Sequence, residues 1–303
     1  MNPPPRILLL GCTGQVGWEL QRALLPLGEL IALDRSTNPA ADFSQPAALV
    51  DLLEQIRPQV IVNAAAHTAV DRAESEPELA RLLNATSVGV LADHAARSGA
   101  WLLHYSTDYV FDGSGSEPRG EDAPTGPLSV YGATKLEGEE LIRASGCHHL
   151  ILRTSWVYGA RGGNFAKTML RLAAERERLT VIDDQIGAPT GADLLADLSA
   201  HLLREVTRPG GRGAALAGTY HAVAAGQTSW HGYACRVIDF ARSLGQTLKV
   251  QSVDPVPTSA FPTPARRPHN SRLSSAKLSD TFGLVLPPWQ TGVERMLREV
   301  LGV

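Results

Sequence analysis

The segment ILLLGCTGQVG, residues 7–17, constrains this chain more than any other. A short apolar run ends in Gly11, and Gly14 and Gly17 follow as amphipathic sequence begins. Such glycines permit a tight strand-to-helix turn and let the backbone approach a pyrophosphate, whose charge then rests on the free N–H groups and positive end of the helix. Packing alone can also ask for glycine in such a turn. The strand before it and the helix after it are nevertheless the context that a dinucleotide loop requires.

From Arg6 onward, short apolar runs alternate with longer amphipathic ones. ILLLG, LIALD, VIVNA, WLLHYS and HLILRTS read as strands, and helices are expected over 16–25, 46–56, 77–98 and 131–144. The strands are continuous Val/Ile/Leu runs, as happens when helices cover both faces of a parallel sheet. The expected architecture is therefore α/β: a Rossmann-like doubly wound parallel sheet, mainly within residues 1–180, that binds the dinucleotide. A smaller C-terminal α/β substrate domain, mainly within 181–303, should follow, with the chain crossing between the two. Further helices are expected over 164–177, 193–205, 230–244 and 289–301. The glycine-rich RPGGRGAALAG leaves little room for an element, and DPVPTSAFPTPARRP reads as an ordered loop.

Composition excludes several classes. Hydrophobic residues make up 44% and charged ones 19% of 303 residues, which is ordinary globular usage. With 28 basic against 31 acidic side chains, a net charge of −3 and no long run of one sign, no nucleic-acid partner is expected. Cys12, Cys147 and Cys235 are odd in number and far apart. They suit neither a disulfide framework nor paired zinc ligands, so a reducing cytoplasm is the expected setting. The apolar part of MNPPPRILLLG is too short for a signal peptide or a membrane span.

The residues that carry chemistry lie near the expected strand ends. Asp34 falls 23 residues past Gly11, where a carboxylate can accept hydrogen bonds from the adenosine ribose. Arg35 beside it suits a 2′-phosphate, or else forms a solvated ion pair, and both NADH and NADPH are expected to bind. Tyr131 and Lys135, four apart at a helix start, share a face. A nearby ammonium favours the phenolate and turns a phenol of ordinary pKa near 10 into a usable acid. Ser106, Thr107 and Asp108 fall at the carboxyl end of the fourth strand, where open parallel sheets bind ligands. Thr107 is the candidate to hydrogen-bond a substrate carbonyl oxygen alongside the tyrosine. Arg266 and Arg267 offer planar forks suited to a diphosphate, or are solvated surface arginines.

The GxxGxxG turn, the hydroxyl residue after strand four and the YxxxK pair together resemble the extended short-chain dehydrogenase/reductase family. NAAAHTAVDRAESEP, STDYVFDG, RTSWVYG and DQIGAPTGADLLAD look like its nucleotide-sugar reductases. The resemblance implies NAD(P)H-dependent reduction of the C4 ketone of dTDP-4-dehydro-L-rhamnose. Tyr131 would donate the proton, Lys135 would hold the nicotinamide ribose and lower the tyrosine's pKa, and Thr107 would sit near the reacting oxygen.

The same resemblance implies that Gly14, Gln15, Val16, Asp34, Asp42, Phe43, Ala66, His67, Thr68 and Tyr105 line the cofactor. It places Asp108 and Trp156 against the sugar nucleotide. Plain roles suit several of these equally: Phe43 and Trp156 as core aromatics, His67 as a structural histidine, Asp42 as a helix cap. Dehydratases of the same fold carry an acidic residue after the Thr-Asp pair, and Tyr109 stands there in this chain, which disfavours elimination. Epimerisation uses the same residues, and a dinucleotide-binding regulatory subunit without catalysis shares the family, so both remain open. Some bacterial members form homodimers through magnesium held by carboxylates. The matching positions are Glu19, Asp193 and Glu299, which otherwise read as surface carboxylates.

Overall fold

The computed structural model describes residues 4–208 and 210–303; the first three residues of the N-terminal stretch, and Pro209 of the glycine-rich one, lie outside the described residues. Six strands, β1 (Arg6–Leu10), β2 (Glu29–Leu33), β3 (Val60–Asn63), β4 (Trp101–Thr107), β5 (His148–Thr154) and β6 (Gly218–His221), form one sheet in the order β6-β5-β4-β3-β1-β2. Every pairing in it is parallel. Ile7 and Leu9 of β1 enter one core with Leu20 and Leu24 of α1 (Gln15–Leu24). Leu8 and Leu10 enter the opposite core with α2 (Pro46–Ile56) and α3 (Ser87–Ser98). Burial on both faces is why these strands read as unbroken apolar runs. The strand order reverses between β1 and β3, and doubly wound sheets open their ligand crevice at such a switch point.

Helix α4 (Val130–Ser145) starts where the Ser129 hydroxyl accepts the Gly132 N–H at 3.2 Å, which sets Tyr131 and Lys135 in its first turns. Helices α5 (Phe165–Glu175), α6 (Ala192–Thr207), α7 (Trp230–Ser243), α8 (Ala276–Phe282) and α9 (Trp289–Leu301) follow. Leu195, Leu202 and Leu203 of α6 return to the sheet's core beside α1. A separate, aromatic-rich core gathers Tyr158, Tyr233, Trp289 and Met296 in the C-terminal part. Among the described residues, no helix is long and apolar enough to cross a membrane.

Three local expectations need correction. The glycine-rich stretch contains a 3₁₀ turn at Gly213–Leu216 and then β6, which joins the sheet beside β5. A four-residue strand paired along one side needs no long apolar run to announce it. The Pro-rich stretch begins inside the strand Ser252–Val256, parallel to Arg178–Ile182; Pro255 is tolerated there because this is a two-stranded ribbon with free edges. The single helix expected over 77–98 is instead Pro77–Arg81, a π-helical turn at Leu82–Thr86, and α3. Asn84 in that turn is buried. Its side chain accepts the His67 N–H at 2.8 Å and donates to the His67 carbonyl at 3.2 Å and the Thr134 hydroxyl at 3.1 Å. Wide turns of this kind recur beside functional sites, and here one ties the segment after β3 to α4.

Candidate active site

A cleft of about 780 Å³ opens at the carboxyl ends of β1, β2, β3 and β4. Gly11 turns the chain out of β1 with φ +83°, and a Cβ there would come 2.6 Å from the Ala65 nitrogen. Gly17 is not among the residues lining the cleft; a Cβ there would collide with the Gly11 carbonyl, so this glycine lets α1 pack close against the loop. Thr13, Gly14, Gln15 and Val16 present the first turn of α1 to the cleft. Together these features make a cradle of N–H groups of the kind that receives a pyrophosphate.

Asp34 stands at the end of β2. It accepts the Thr13 hydroxyl, the Ser36 N–H at 2.9 Å and hydroxyl at 2.7 Å, and the Thr37 N–H at 3.0 Å. These donors, Thr13 foremost, hold its carboxyl far below the usual carboxylate range and leave a fixed negative charge where a ribose would lie. Arg35, Asp42, Phe43, Ala66, His67, Thr68 and Tyr105 also line the cleft. His67 is buried with Nδ1 unpartnered, while its Nε2 lies 3.3 Å from Glu76. A cradle of N–H groups, a fixed carboxylate and an orphaned imidazole nitrogen fit a dinucleotide.

The other end of the cleft holds Thr107, Asp108, Tyr131 and Lys135. Thr107 Oγ1 accepts the Tyr109 N–H at 3.2 Å and donates to Asp108 Oδ1 at 3.1 Å. The Tyr131 ring meets Tyr109 edge-on, centroids 5.6 Å apart at 76°. Burial pushes the Tyr131 hydroxyl up to about 12, with Thr107 beside it easing ionisation and Asp108 opposing it. Lys135 Nζ donates to the Tyr105 carbonyl at 2.6 Å and meets His104 Nε2 at 3.1 Å. Burial brings Lys135 down to about 8, against the pull of Glu139. The Lys135 amine is thus turned toward β4, and burial, Thr107 and Asp108 set the position of the Tyr131 hydroxyl.

Asp108 is buried, its Oδ2 has no partner, and burial pushes its carboxyl up to about 6 against the hydroxyls of Ser271 and Thr107. A carboxyl whose folded pKa lies above its value of 3.8 in the open chain supplies stability below that value. This stability is lost as pH rises through about 6. The melting temperature of Asp108→Asn relative to the parent should therefore move in the variant's favour by several degrees between pH 4 and pH 7. A gap that stays constant across that range would show an ordinary carboxyl.

Trp156 also lines the cleft. It holds φ +50°, a left-handed conformation that is strained for an aromatic residue, and stacks on Trp230 with centroids 3.7 Å apart at 15°. Arg266 and Arg267 do not line the cleft. Arg266 is exposed; Arg267 spends its fork on Asp71, at 2.7 and 3.1 Å, tying the Pro-rich loop to the segment after His67. The magnesium expectation finds no support within one chain. Asp193 and Glu299 lie near enough to Glu19 to join burial in raising its carboxyl, but Asp193 pairs with Arg295. Among the described residues no group of three or more His, Cys, Asp or Glu side chains is placed to hold a metal ion.

Sequence reasoning brought out much of the lining but missed Trp230 in it, and beyond the lining it missed Ser271, Asn84 and His104. Trp230 had a signal, as an aromatic at a helix start; the other three owe their places to contacts between distant segments.

The family model of the RmlD substrate binding domain matches residues 5–301. A dTDP-4-dehydrorhamnose reductase of Shigella flexneri is 59% identical over 97% of this chain and 97% of its own length. Among solved structures, the Clostridium acetobutylicum dTDP-4-dehydrorhamnose reductase superposes with a TM-score of 0.89 at 34% identity, covering 98% of this chain and 100% of that one. The Bacillus anthracis enzyme of the same name, solved in complex with NADP, gives 0.87 at 35% identity over 97% of this chain and 99% of that one. The chain belongs to the dTDP-4-dehydrorhamnose reductase family.

Proposed function

We infer that this chain reduces the C4 ketone of dTDP-4-dehydro-L-rhamnose to dTDP-L-rhamnose with NADPH or NADH, the last step in making that sugar donor. The observation that carries the reading is the meeting of Thr107, Tyr131 and Lys135 at one end of a dinucleotide-shaped cleft, in a chain 59% identical to a reductase of this name. A bound NADPH or NADH supplies the hydride. Tyr131, protonated across the neutral range, delivers its hydroxyl proton to the C4 oxygen, and Thr107 hydrogen-bonds near that oxygen. Lys135 would hold the nicotinamide ribose of the bound cofactor. Trp156, stacked on Trp230, and Asp108 wall the sugar pocket and keep water from the reacting carbon. We assign residues 1–180, together with α6 and β6, to the cofactor half and most of 181–303 to the substrate half; the unpaired cysteines suit a cytoplasmic setting.

The test is stoichiometric consumption of NAD(P)H by the ketosugar, followed by absorbance, with dTDP-L-rhamnose identified as product. An epimerase would convert sugar without net consumption, and a regulatory subunit would bind the dinucleotide without turnover. Arg35→Ala should lower affinity for NADPH relative to NADH by about tenfold, the scale of one lost charge-assisted contact. An unchanged ratio would leave Arg35 without a part in phosphate recognition.

A further inference from the structure

Trp156 sits in the wall of the cleft in a conformation it would not take alone. Its φ of +50° is left-handed and costly for an aromatic residue, and its indole lies 3.7 Å from that of Trp230, centroid to centroid, at 15°. Free aromatic pairs prefer edge-on or offset contacts with centroids roughly 4.5–7 Å apart. Something outside the pair therefore holds it. On the Trp156 side Gly187 leaves the room, since a Cβ there would come 2.8 Å from Trp156 Cε2. On the Trp230 side stands Gln185, which does not line the cleft and is 3% exposed. Its Oε1 accepts the Trp230 indole N–H at 3.1 Å.

The direction of that hydrogen bond is fixed at both ends. An indole nitrogen only donates, so Gln185 must present its carbonyl oxygen to Trp230 and its amide nitrogen to Thr258, whose hydroxyl accepts at 3.0 Å. The Thr258 hydroxyl gives its own proton to Asp184 at 2.5 Å, and the Thr258 N–H donates to both oxygens of the same carboxylate at 2.9 Å. Against the upward push of burial, Thr258 holds the Asp184 carboxyl below its ordinary value, and an ionised carboxylate only accepts. Asp183, one residue earlier, accepts the Ser229 hydroxyl, which also caps the start of α7 by accepting the Gly232 N–H at 2.9 Å. Residues 183–185 thus grip the helix end that carries Trp230 and, through Thr258, the Pro-rich segment.

We propose, on the reductase reading above, that Gln185 is a positioning residue that sets the plane of Trp230, and through it the face that Trp156 turns to the sugar. A 6-deoxyketosugar offers a methyl group and ring C–H groups, which a flat indole covers when it is held still. Without the hydrogen bond the Trp230 ring is free to tilt toward the offset contact that such pairs prefer, and the left-handed turn at Trp156 loses its support. The sugar then meets a moving wall. The side-chain hydrogen bonds of Gln185 reach Trp230 and Thr258, neither of which belongs to the glycine turn or to the donors around Asp34, so cofactor binding does not depend on them.

Gln185→Met tests this, because it keeps a long unbranched side chain and removes both hydrogen bonds. In a steady-state assay KM for the ketosugar should rise about three- to tenfold, the scale of one lost hydrogen bond, with kcat changed less than about twofold and the NADPH dissociation constant unchanged. Two stacked indoles also give an exciton couplet in circular dichroism, assigned here by its loss in Trp230→Phe, and Gln185→Met should weaken it. In a Trp230→Phe background, which has no indole N–H to hold, Gln185→Met should raise KM no further. An unchanged KM, a parent-like couplet, a matching loss of NADPH affinity, or a further rise of KM in the Trp230→Phe background each overturns the proposal and leaves the reductase reading intact. If the parent fails to turn over, the reductase reading falls, and the couplet of Gln185→Met alone decides whether Gln185 sets the plane of Trp230. If Gln185→Met does not fold, Trp230→Phe decides: it keeps a ring in the stack without the N–H, a similar rise of the sugar KM supports the proposal, and an unchanged KM overturns it.

Discussion

Tyr131→Phe should bind NADPH about as tightly as the parent and reduce the ketosugar about 10²–10⁴-fold more slowly, the usual contribution of a positioned general acid. The substitution keeps the ring, and with it the edge-on contact with Tyr109 at 5.6 Å, so the fold and the cleft should survive. What it removes is one proton. Burial holds the hydroxyl at about 12, so the parent carries that proton through the whole neutral range, the state that reduction requires. Thr107 cannot take over, because its hydroxyl is engaged with Asp108 at 3.1 Å and an alkanol is a far weaker acid. On the scale of 1.36 kcal/mol per tenfold, the loss is about 3–5 kcal/mol of barrier. Steady-state rates alongside a fluorescence titration with NADPH separate chemistry from binding. A fall below tenfold with unchanged affinity would assign the proton to another group, and Asp108, at about 6, would be examined next.

The parts of this molecule that were legible in the sequence are those whose cause is local. β1 and β3 are unbroken apolar runs because helices cover both faces, and the glycine turn shows itself because its steric demands fall within seven residues. Tyr131 and Lys135 are readable as a pair because a helix sets four-apart residues on one face. Asp42, Phe43 and Thr68 came only from resemblance to a known family; nothing in their spacing points to a cofactor. The features that escaped depend on segments far apart in the chain. Strand β6 exists because β5 offers an edge, and the π-helical turn exists because Asn84 must reach both His67 and Thr134. Trp156 takes its strained φ against Trp230, and Arg267 leaves solvent for Asp71. A basic residue in a Pro-rich loop shows what it could bind, while the partner it takes is decided by tertiary packing.

Arg153→Met should cost about 3–5 kcal/mol of folding stability at pH 7, the usual result of leaving a buried charge without its partner. Arg153 and Glu139 are both buried and joined at 2.7 and 2.8 Å, the arginine also donating to the Glu121 carbonyl at 3.0 Å and lying 5.1 Å over the Phe111 ring. Burial alone would raise the Glu139 carboxyl; Arg153, with Arg143, brings it below its ordinary value. A depressed carboxylate contributes stability above its open-chain pKa and loses it as pH falls through the folded one, so the pair acts at neutral and alkaline pH. In the variant the carboxylate keeps only the half-exposed Arg143 at 3.0 Å, and protonation relieves it. The deficit measured by denaturant unfolding should therefore shrink toward pH 5, and Arg153→Met combined with Glu139→Leu should recover much of it. A deficit under about 1 kcal/mol at pH 7 would show that water or Arg143 suffices. Arg153 sits beside Ser106 in the β4–β5 register, and Glu139 lies one helical turn beyond Lys135. The ion pair therefore clamps α4 to the sheet directly beneath the reacting residues, and stability lost there should loosen Lys135 before the rest of the fold gives way.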